Sequence, residues 1–168
     1  MNFNAGEDTF IKMKKSLNCC GKFLDLSTPA IMGILNITPD SFYDGGQIHD
    51  ENSALNAAET MLKEGADILD IGGQSTRPGS TRISAADEWE RIELALIQIR
   101  KNFPDIIISV DTFYSEVAKK AINEGASIIN DISAGEFDPL MFSFASSCQA
   151  PYLMMHMKGN PENMQKNP

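Results

Sequence analysis

Short apolar runs without polar alternation recur along the chain. They are rich in β-branched and aliphatic side chains and occupy residues 31–35, 68–71, 106–110, 128–132 and 152–155. Continuous apolar runs of this length are typical of strands that are buried on both faces, as in a parallel sheet. The pattern therefore predicts five buried strands that pair in parallel.

Between these runs, apolar residues recur at helical spacing. The first such segment ends before Gly65, which suits a C-terminal helix cap. The second begins with a capping-box pattern at Ser84 and Asp87 and stops at residues 103–104, which read Phe-Pro. The pattern predicts four helices, near residues 54–62, 84–102, 117–122 and, more weakly, 137–147.

The order of strand and helix repeats up to the fifth strand, which specifies a right-handed parallel α/β architecture. An internal echo supports equivalent βα units, because residues 64–70 read EGADILD and residues 124–130 read EGASIIN. Residues 16–27 carry Gly21 between two short apolar stretches and predict a hairpin, which we expect to plug the bottom of a barrel.

Two architectures fit this pattern, an open doubly wound sheet and a barrel that needs eight strands. The pattern alone leaves both open. No G-x-G-x-x-G sequence follows the first predicted strand, which weakens the dinucleotide-binding form of the open sheet.

Composition and charge narrow the possible partners. With 168 residues, 42% of them hydrophobic and 22% charged, the chain has the make-up of one soluble domain. A net charge of -9 disfavours binding to a nucleic-acid backbone. Residues 1–8 are polar and acidic, and no apolar run approaches a membrane span, so we expect a cytoplasmic protein with no membrane partner.

The chain has too few suitably spaced His and Cys residues to form a zinc site. The chain has only two histidines, His49 and His156, and its three cysteines show no metal-type spacing. We therefore expect any bound metal to be a hard ion held by oxygen.

Polar residues follow the predicted strands at their C-terminal ends. In parallel α/β proteins this edge is where ligands bind, because the loops there point at a common centre. A single Asp or Asn in such a position is often only a helix cap. Their recurrence in phase predicts a ligand site, formed by Asn36, Asp70, Asp111, Asn130, Asp131 and His156.

Two loops after strands have unusual chemistry. Residues 36–42 read NITPDSF, a turn-forming stretch that carries an acid and an aromatic ring. Residues 72–80 read GGQSTRPGS and offer backbone amides, hydroxyls and one guanidinium, all suited to an anion. Either segment could also be a plain turn or surface connection.

Five segments, taken in order, resemble the successive signatures of dihydropteroate synthase. They cover nearly the whole chain from Gly21 onward, and Gln74 stands where many members carry Glu. The segments are MGILNITPDSF at 32–42, DIGGQSTRPG at 70–79, SVDT at 109–112, IND at 129–131 and MHMKG at 155–159.

The resemblance implies a transferase that joins 4-aminobenzoate to 6-hydroxymethyl-7,8-dihydropterin diphosphate and releases diphosphate in folate synthesis. Asn36 would help hold Mg²⁺ and the diphosphate, and Asn36 and Asp111 would be the catalytic residues. Asp111 and Asn130 would hydrogen-bond the pterin edge, and Met155 would pack on the pterin face. The two loops would close over the substrates through Asp40, Ser41, Phe42, Thr76 and Arg77.

The resemblance also implies the fold class, a parallel (β/α)8 TIM-type barrel with an N-terminal hairpin, of which the first five strands are present. Residues 1–168 then form one incomplete pterin-binding domain: a polar extension at 1–15, the hairpin at 16–29, and strands 1 to 5 with their helices at 30–168. Members of the family continue through three more strands with Asp, Lys and Arg motifs. We therefore expect an N-terminal portion with little synthase activity alone. Members often form homodimers, so a second copy is an expected partner.

Three alternatives remain open at this point. A pterin-binding methyltransferase acting on methyltetrahydrofolate is similar around Asp111 and Asn130 but lacks the first loop and the Ser-Thr-Arg-Pro-Gly stretch. A non-catalytic half-barrel binding module would bind pterin without releasing diphosphate. An open-sheet nucleotide binder has only the strand count in its favour.

Overall fold

The structure, a computed structural model, describes residues 15–38, 52–74 and 82–155. A hairpin comes first, followed by strands that alternate with helices, as the sequence pattern predicts. In chain order the elements are β1 (Ser16–Cys19), β2 (Lys22–Asp25), β3 (Met32–Asn36), α1 (Ser53–Lys63), β4 (Ile68–Gly72), α2 (Ala85–Asn102), β5 (Ile107–Asp111), α3 (Ser115–Asn123), β6 (Ile128–Asp131), α4 (Met141–Cys148) and β7 (Tyr152–Met154).

The strand order decides between the two architectures that the pattern left open. The five strands of the main sheet are all parallel and lie in the order β3-β4-β5-β6-β7, which is their order along the chain. A doubly wound sheet reverses its order at a switch point, whereas a barrel sheet adds each new strand on the same side. The barrel-type fold is therefore confirmed for the described strands.

The two faces of the sheet have different partners. One face packs against the helices, and strand residues such as Leu69, Ile108 and Ile129 form a fully buried core there with Leu96 and Val117. The opposite face, which would line a barrel, is apolar where the strands begin and polar where they end. This division places the chemistry of the chain at one edge of the sheet.

The hairpin covers the N-terminal end of that inner face. Cys20 and Gly21 form the turn with φ of 53° and 92°, and two left-handed residues are what a type I′ hairpin turn requires. Cys19 and Leu24 pack against the first residues of three strands, Ile68, Ile107 and Ile128. The expected plug at the bottom of the sheet is thus observed.

Local signals at the helix ends are confirmed. The Ser84 side chain accepts a hydrogen bond from Asp87 N–H, and the Asp87 side chain accepts one from the Ser84 N–H, a complete capping box. Gly65 and Gly125, the two glycines of the internal echo, have φ of 104° and 100° just past α1 and α3. The observed strands begin or end one residue away from the predicted limits in several cases.

Within the described ranges, no helix combines the length and the hydropathy that a membrane span needs.

Candidate functional site

The C-terminal edge of the sheet brings together three of the predicted polar residues. Asp111 ends β5 and is paired in register with Asn130 of β6, so the two side chains lie side by side on the inner face. Asp70 lies on the same face of β4, two residues deeper than Gly72, which pairs with Asp111. Because Gly72 has no side chain, the space between these polar groups stays open toward Asn36 of β3.

Asp70 and Asn130 form the base of this site. Asn130 Nδ2 donates to Asp70 Oδ2 over 2.9 Å, although the two residues belong to strands that are not neighbours. This bond fixes the orientation of the amide and leaves its oxygen and second N–H to other partners. Burial raises the pKa of Asp70, and the hydrogen bond from Asn130 partly opposes that change.

Asp111 is the electrostatic centre of the site. Burial, followed by the charges of Asp70 and Asp131, raises the pKa of Asp111 to about 7. A carboxyl in this state changes between neutral and ionised near neutral pH. When ionised it accepts hydrogen bonds from paired N–H donors, which is the chemistry expected of a pterin-binding carboxylate.

Asp131 does not join the ligand site, contrary to the grouping suggested by sequence. It follows Asn130 directly, so strand alternation turns its side chain to the helix face, where it is fully buried. Its carboxylate accepts bonds from the Ser133 N–H and hydroxyl at 2.7 Å, Gly135 N–H at 2.9 Å and the Tyr152 hydroxyl at 2.6 Å. Asp131 therefore orders the turn after β6.

Asn36 and Met155 lie at the two sides of the same edge. Asn36 ends β3 with its side chain exposed, and Met155 directly follows β7 with 37% of its surface exposed. Alternation places Met155 on the face of Leu153, which pairs with Asn130. The remaining predicted residues, Asp40, Ser41, Phe42, Thr76, Arg77 and His156, lie outside the described residues.

One buried charged residue beside the site was missed by the sequence reasoning. Glu88, in the first turn of α2, has no exposed surface, and its Oε2 accepts a hydrogen bond from Thr112, the residue after Asp111. The available signal was the position of Glu88 four residues before Ile92, on the apolar stripe of the helix. A charged residue on a buried helix face is rare unless it has a partner.

A positively charged side chain, that of Arg82, also lies at this edge and packs against aromatic rings. The Arg82 guanidinium sits 4.2 Å from the centre of the Phe113 ring and 4.1 Å from that of Phe137. The rings come from the connections after β5 and β6, so Arg82 links the entry of α2 to both. Cation–π contacts of this kind attach an exposed guanidinium to apolar surface.

The raised pKa values predict a stability that falls as pH rises. Burial raises the pKa of Glu88 from 4.5 to about 7, although the hydrogen bond from Thr112 opposes the change. Burial, followed by the charges of two other aspartates, raises the pKa of Asp111 from 3.8 to about 7. Between those limits the folded chain binds more protons than the unfolded chain, so its free energy of unfolding decreases with pH. We expect lower stability in urea at pH 8 than at pH 5.5.

The variant Glu88→Gln checks the source of this effect. The amide has no proton to lose, so its urea midpoint should depend less on pH than that of the wild-type chain. Glu90→Gln removes an exposed charge from the same helix and serves as the control. Equal pH slopes for the wild-type chain and Glu88→Gln would contradict the assignment.

Comparisons with known proteins agree with this geometry. A family model described as pterin binding enzyme matches residues 32–168. The chain is 51% identical over 138 residues to a mitochondrial folate synthesis bifunctional protein of Pisum sativum, covering 80% of this chain and 27% of that protein. It is 47% identical over 136 residues to the dihydropteroate synthase of Streptococcus pyogenes serotype M1, covering 81% of this chain and 51% of the relative.

Solved structures give the same result. Dihydropteroate synthase of Xanthomonas albilineans with 4-aminobenzoic acid superimposes with a TM-score of 0.81 at 38% identity, covering 88% of this chain and 53% of that one. The Yersinia pestis enzyme in a sulfonamide drug complex gives 0.80 at 42% identity, covering 91% and 55%. The chain thus spans about half the length of these dihydropteroate synthases.

Proposed function

The chain belongs to the pterin-binding enzyme family, together with the dihydropteroate synthases, and we propose that it binds the pterin substrate of dihydropteroate synthesis at the C-terminal edge of its sheet. The reaction joins 4-aminobenzoate to 6-hydroxymethyl-7,8-dihydropterin diphosphate. The observation that carries the proposal is the in-register pair of Asp111 and Asn130, held above the buried Asp70.

Pterin recognition follows from the hydrogen-bonding groups of this pair. Ionised Asp111 accepts from two parallel N–H donors, the pattern at one edge of a pterin ring. Asn130, whose Nδ2 is already bonded to Asp70, keeps an acceptor and a second donor for the adjacent ring atoms. Met155, partly exposed beside them, would pack on the ring face, where a thioether makes favourable contacts with π-systems.

In the transfer step, the bond between the pterin methylene carbon and the diphosphate oxygen breaks and a bond to the aminobenzoate nitrogen forms. Positive charge develops on the pterin, and the amine loses a proton after attack. The nearby Asp111 carboxylate, which is partly buried at the end of β5, stabilises that positive charge because it is held in place before the reaction. The residues predicted to exclude water, Asp40, Ser41, Phe42, Thr76 and Arg77, lie outside the described ranges and stay predictions.

The donor set is compatible with Mg²⁺ that arrives with the diphosphate. Mg²⁺ usually keeps several waters and takes one or two protein oxygens together with substrate phosphates. The exposed Asn36 amide at the sheet edge could supply such an oxygen. Among the described residues no cluster of three His, Cys, Asp or Glu side chains forms a separate metal cage. When bound, the ion would neutralise charge on the leaving diphosphate.

The experiment combines two measurements on the 168-residue chain. Calorimetry measures binding of the pterin diphosphate with Mg²⁺, and a coupled assay measures diphosphate release with and without 4-aminobenzoate. Release that depends on aminobenzoate supports the full synthase. Binding without release favours a pterin-binding module, a reading consistent with the share of its relatives that the chain spans. A chain that binds no pterin would contradict the proposal.

A further inference from the structure

Glu88 occupies a buried position between two connections of the candidate site. It lies in the first turn of α2, beneath the exit of β4 and beside the residue that follows β5. We propose that Glu88 is a positioning residue that anchors the backbone carrying Asp111 and, by its own charge, sets whether Asp111 is ionised when pterin binds. The inference rests on the proposed function.

The contact with Thr112 provides the anchor on one side. Thr112 Oγ1 accepts a hydrogen bond from Tyr114 N–H over 3.1 Å, so the hydroxyl hydrogen is directed to Glu88 Oε2, also 3.1 Å away. The Thr112 N–H donates to the carbonyl of Asn130 over 3.0 Å. Because Thr112 directly follows Asp111, these bonds fix the end of β5 relative to both α2 and β6.

The exit of β4 provides the anchor on the other side. Gly73 lies so close to α2 that an added Cβ would stand 2.9 Å from the carbonyl oxygen of Glu88 and 3.2 Å from its Cγ. Arg91 Nη1 donates to the carbonyl of Gly73 over 3.0 Å. Glu88 is therefore wedged between the ends of β4 and β5, the strands that carry Asp70 and Asp111.

Burying the carboxyl group of Glu88 costs more free energy than a purely structural role would require. Glu88 has no exposed surface, and within the described chain its Oε1 has no hydrogen-bond partner. A neutral side chain of the same shape would avoid the cost of burying a charge. A buried ionisable side chain in contact with Thr112, the residue after Asp111, supports an electrostatic role for Glu88.

Several charged and polar groups face Glu88. Burial raises its pKa to about 7, the bond from Thr112 opposes this, the charge of Asp111 raises it further, and Arg91 and Arg82 lower it. The pKa of Asp111 is itself raised by burial, Asp70 and Asp131. Because a Coulomb interaction acts on both of its partners, we expect removal of the Glu88 charge to favour ionisation of Asp111 as well. Pterin donors favour ionised Asp111, which in turn favours a proton on Glu88. The pair then holds one negative charge.

The first test is the NMR titration of the Asp111 side-chain carbon in the wild-type chain, Glu88→Gln and Glu90→Gln. Gln keeps an acceptor for Thr112 and removes the charge, so we expect the apparent pKa of Asp111 to fall by about one unit, the scale on which neighbouring carboxyls couple. Glu90 is exposed on the same helix, and its variant should titrate like the wild-type chain. An unchanged Asp111 pKa in Glu88→Gln would overturn the proposal.

The second test measures pterin affinity against pH for the same variants and for Thr112→Val. Pterin affinity should rise with pH as Asp111 ionises. In Glu88→Gln we expect this rise at a pH about one unit lower than in the wild-type chain, matching the shift of the Asp111 pKa. Thr112→Val removes the anchor and should weaken binding about tenfold at every pH, since one hydrogen bond is lost. Unaltered affinity in Thr112→Val would refute the anchoring role.

The two tests separate the inference from the proposed function. If the wild-type chain binds no pterin, the proposed function fails, while the NMR titration still decides whether Glu88 controls Asp111. If pterin binds but Glu88→Gln titrates as wild type, the function stands and the Glu88 inference is wrong.

Discussion

Replacing Asp111 by asparagine is expected to lower pterin affinity by about 100-fold or more. Hydrogen bonds to an ionised acceptor contribute about 1.5–3 kcal/mol each, and the variant loses two of them. Since about 1.4 kcal/mol corresponds to a tenfold change in affinity, the loss amounts to at least about 100-fold. The amide also presents an N–H group to the pterin donors. Calorimetry with the pterin diphosphate at pH 8, where Asp111 of the wild-type chain is ionised, measures the effect.

Stability measurements make this result interpretable. Asp111→Asn removes a carboxylate that burial disfavours, so the variant should be at least as stable as the wild-type chain at pH 8. The matched control is Asp105→Asn, which removes an exposed charge from the turn before β5, at the opposite end of the strand. If Asp111→Asn binds pterin with an affinity within threefold of that of Asp105→Asn, Asp111 does not contact the ring.

Replacing Leu96 by alanine is expected to cost about 2–5 kcal/mol of unfolding free energy, the usual range for a fully buried leucine. Leu96 lies in the middle of α2 with no exposed surface and belongs to the core between the sheet and the helices. Total stabilities of domains are about 5–15 kcal/mol, so this one change removes a large part of the total. Urea unfolding followed by circular dichroism measures the loss.

Leu94→Ala supplies the control for that experiment. Leu94 lies on the same helix with 48% of its surface exposed, and its truncation should change stability by about 0.5 kcal/mol or less. Equal losses for the two variants would mean that the described face of α2 does not carry the core.

Much of the fold could be predicted because its signals are local. Apolar runs specified the strands, and the capping box of Ser84 and Asp87 specified the start of α2. Glycines at 21, 65 and 125 occupy left-handed positions that side chains rarely adopt, so they marked the hairpin turn and two helix ends correctly. Each of these features depends on residues close in sequence.

The site was predictable only in part, since its members come from separate strands. Asp111 and Asn130 were correctly expected at one edge, because parallel strands end together. Asp131 was grouped with them wrongly, since adjacent strand residues face opposite sides. Glu88 was overlooked because its meaning depends on Thr112, which lies 24 positions away along the chain.

The sequence by itself determined the order of elements, the polar residues at the strand ends and the family resemblance, since these depend on composition, spacing and local backbone chemistry. Tertiary structure alone decided the sequential strand order, the faces that separate Asn130 from Asp131, and the burial that raises the pKa values of Asp111 and Glu88. The physical reason is that register and burial arise from contacts between distant segments, which no local pattern contains.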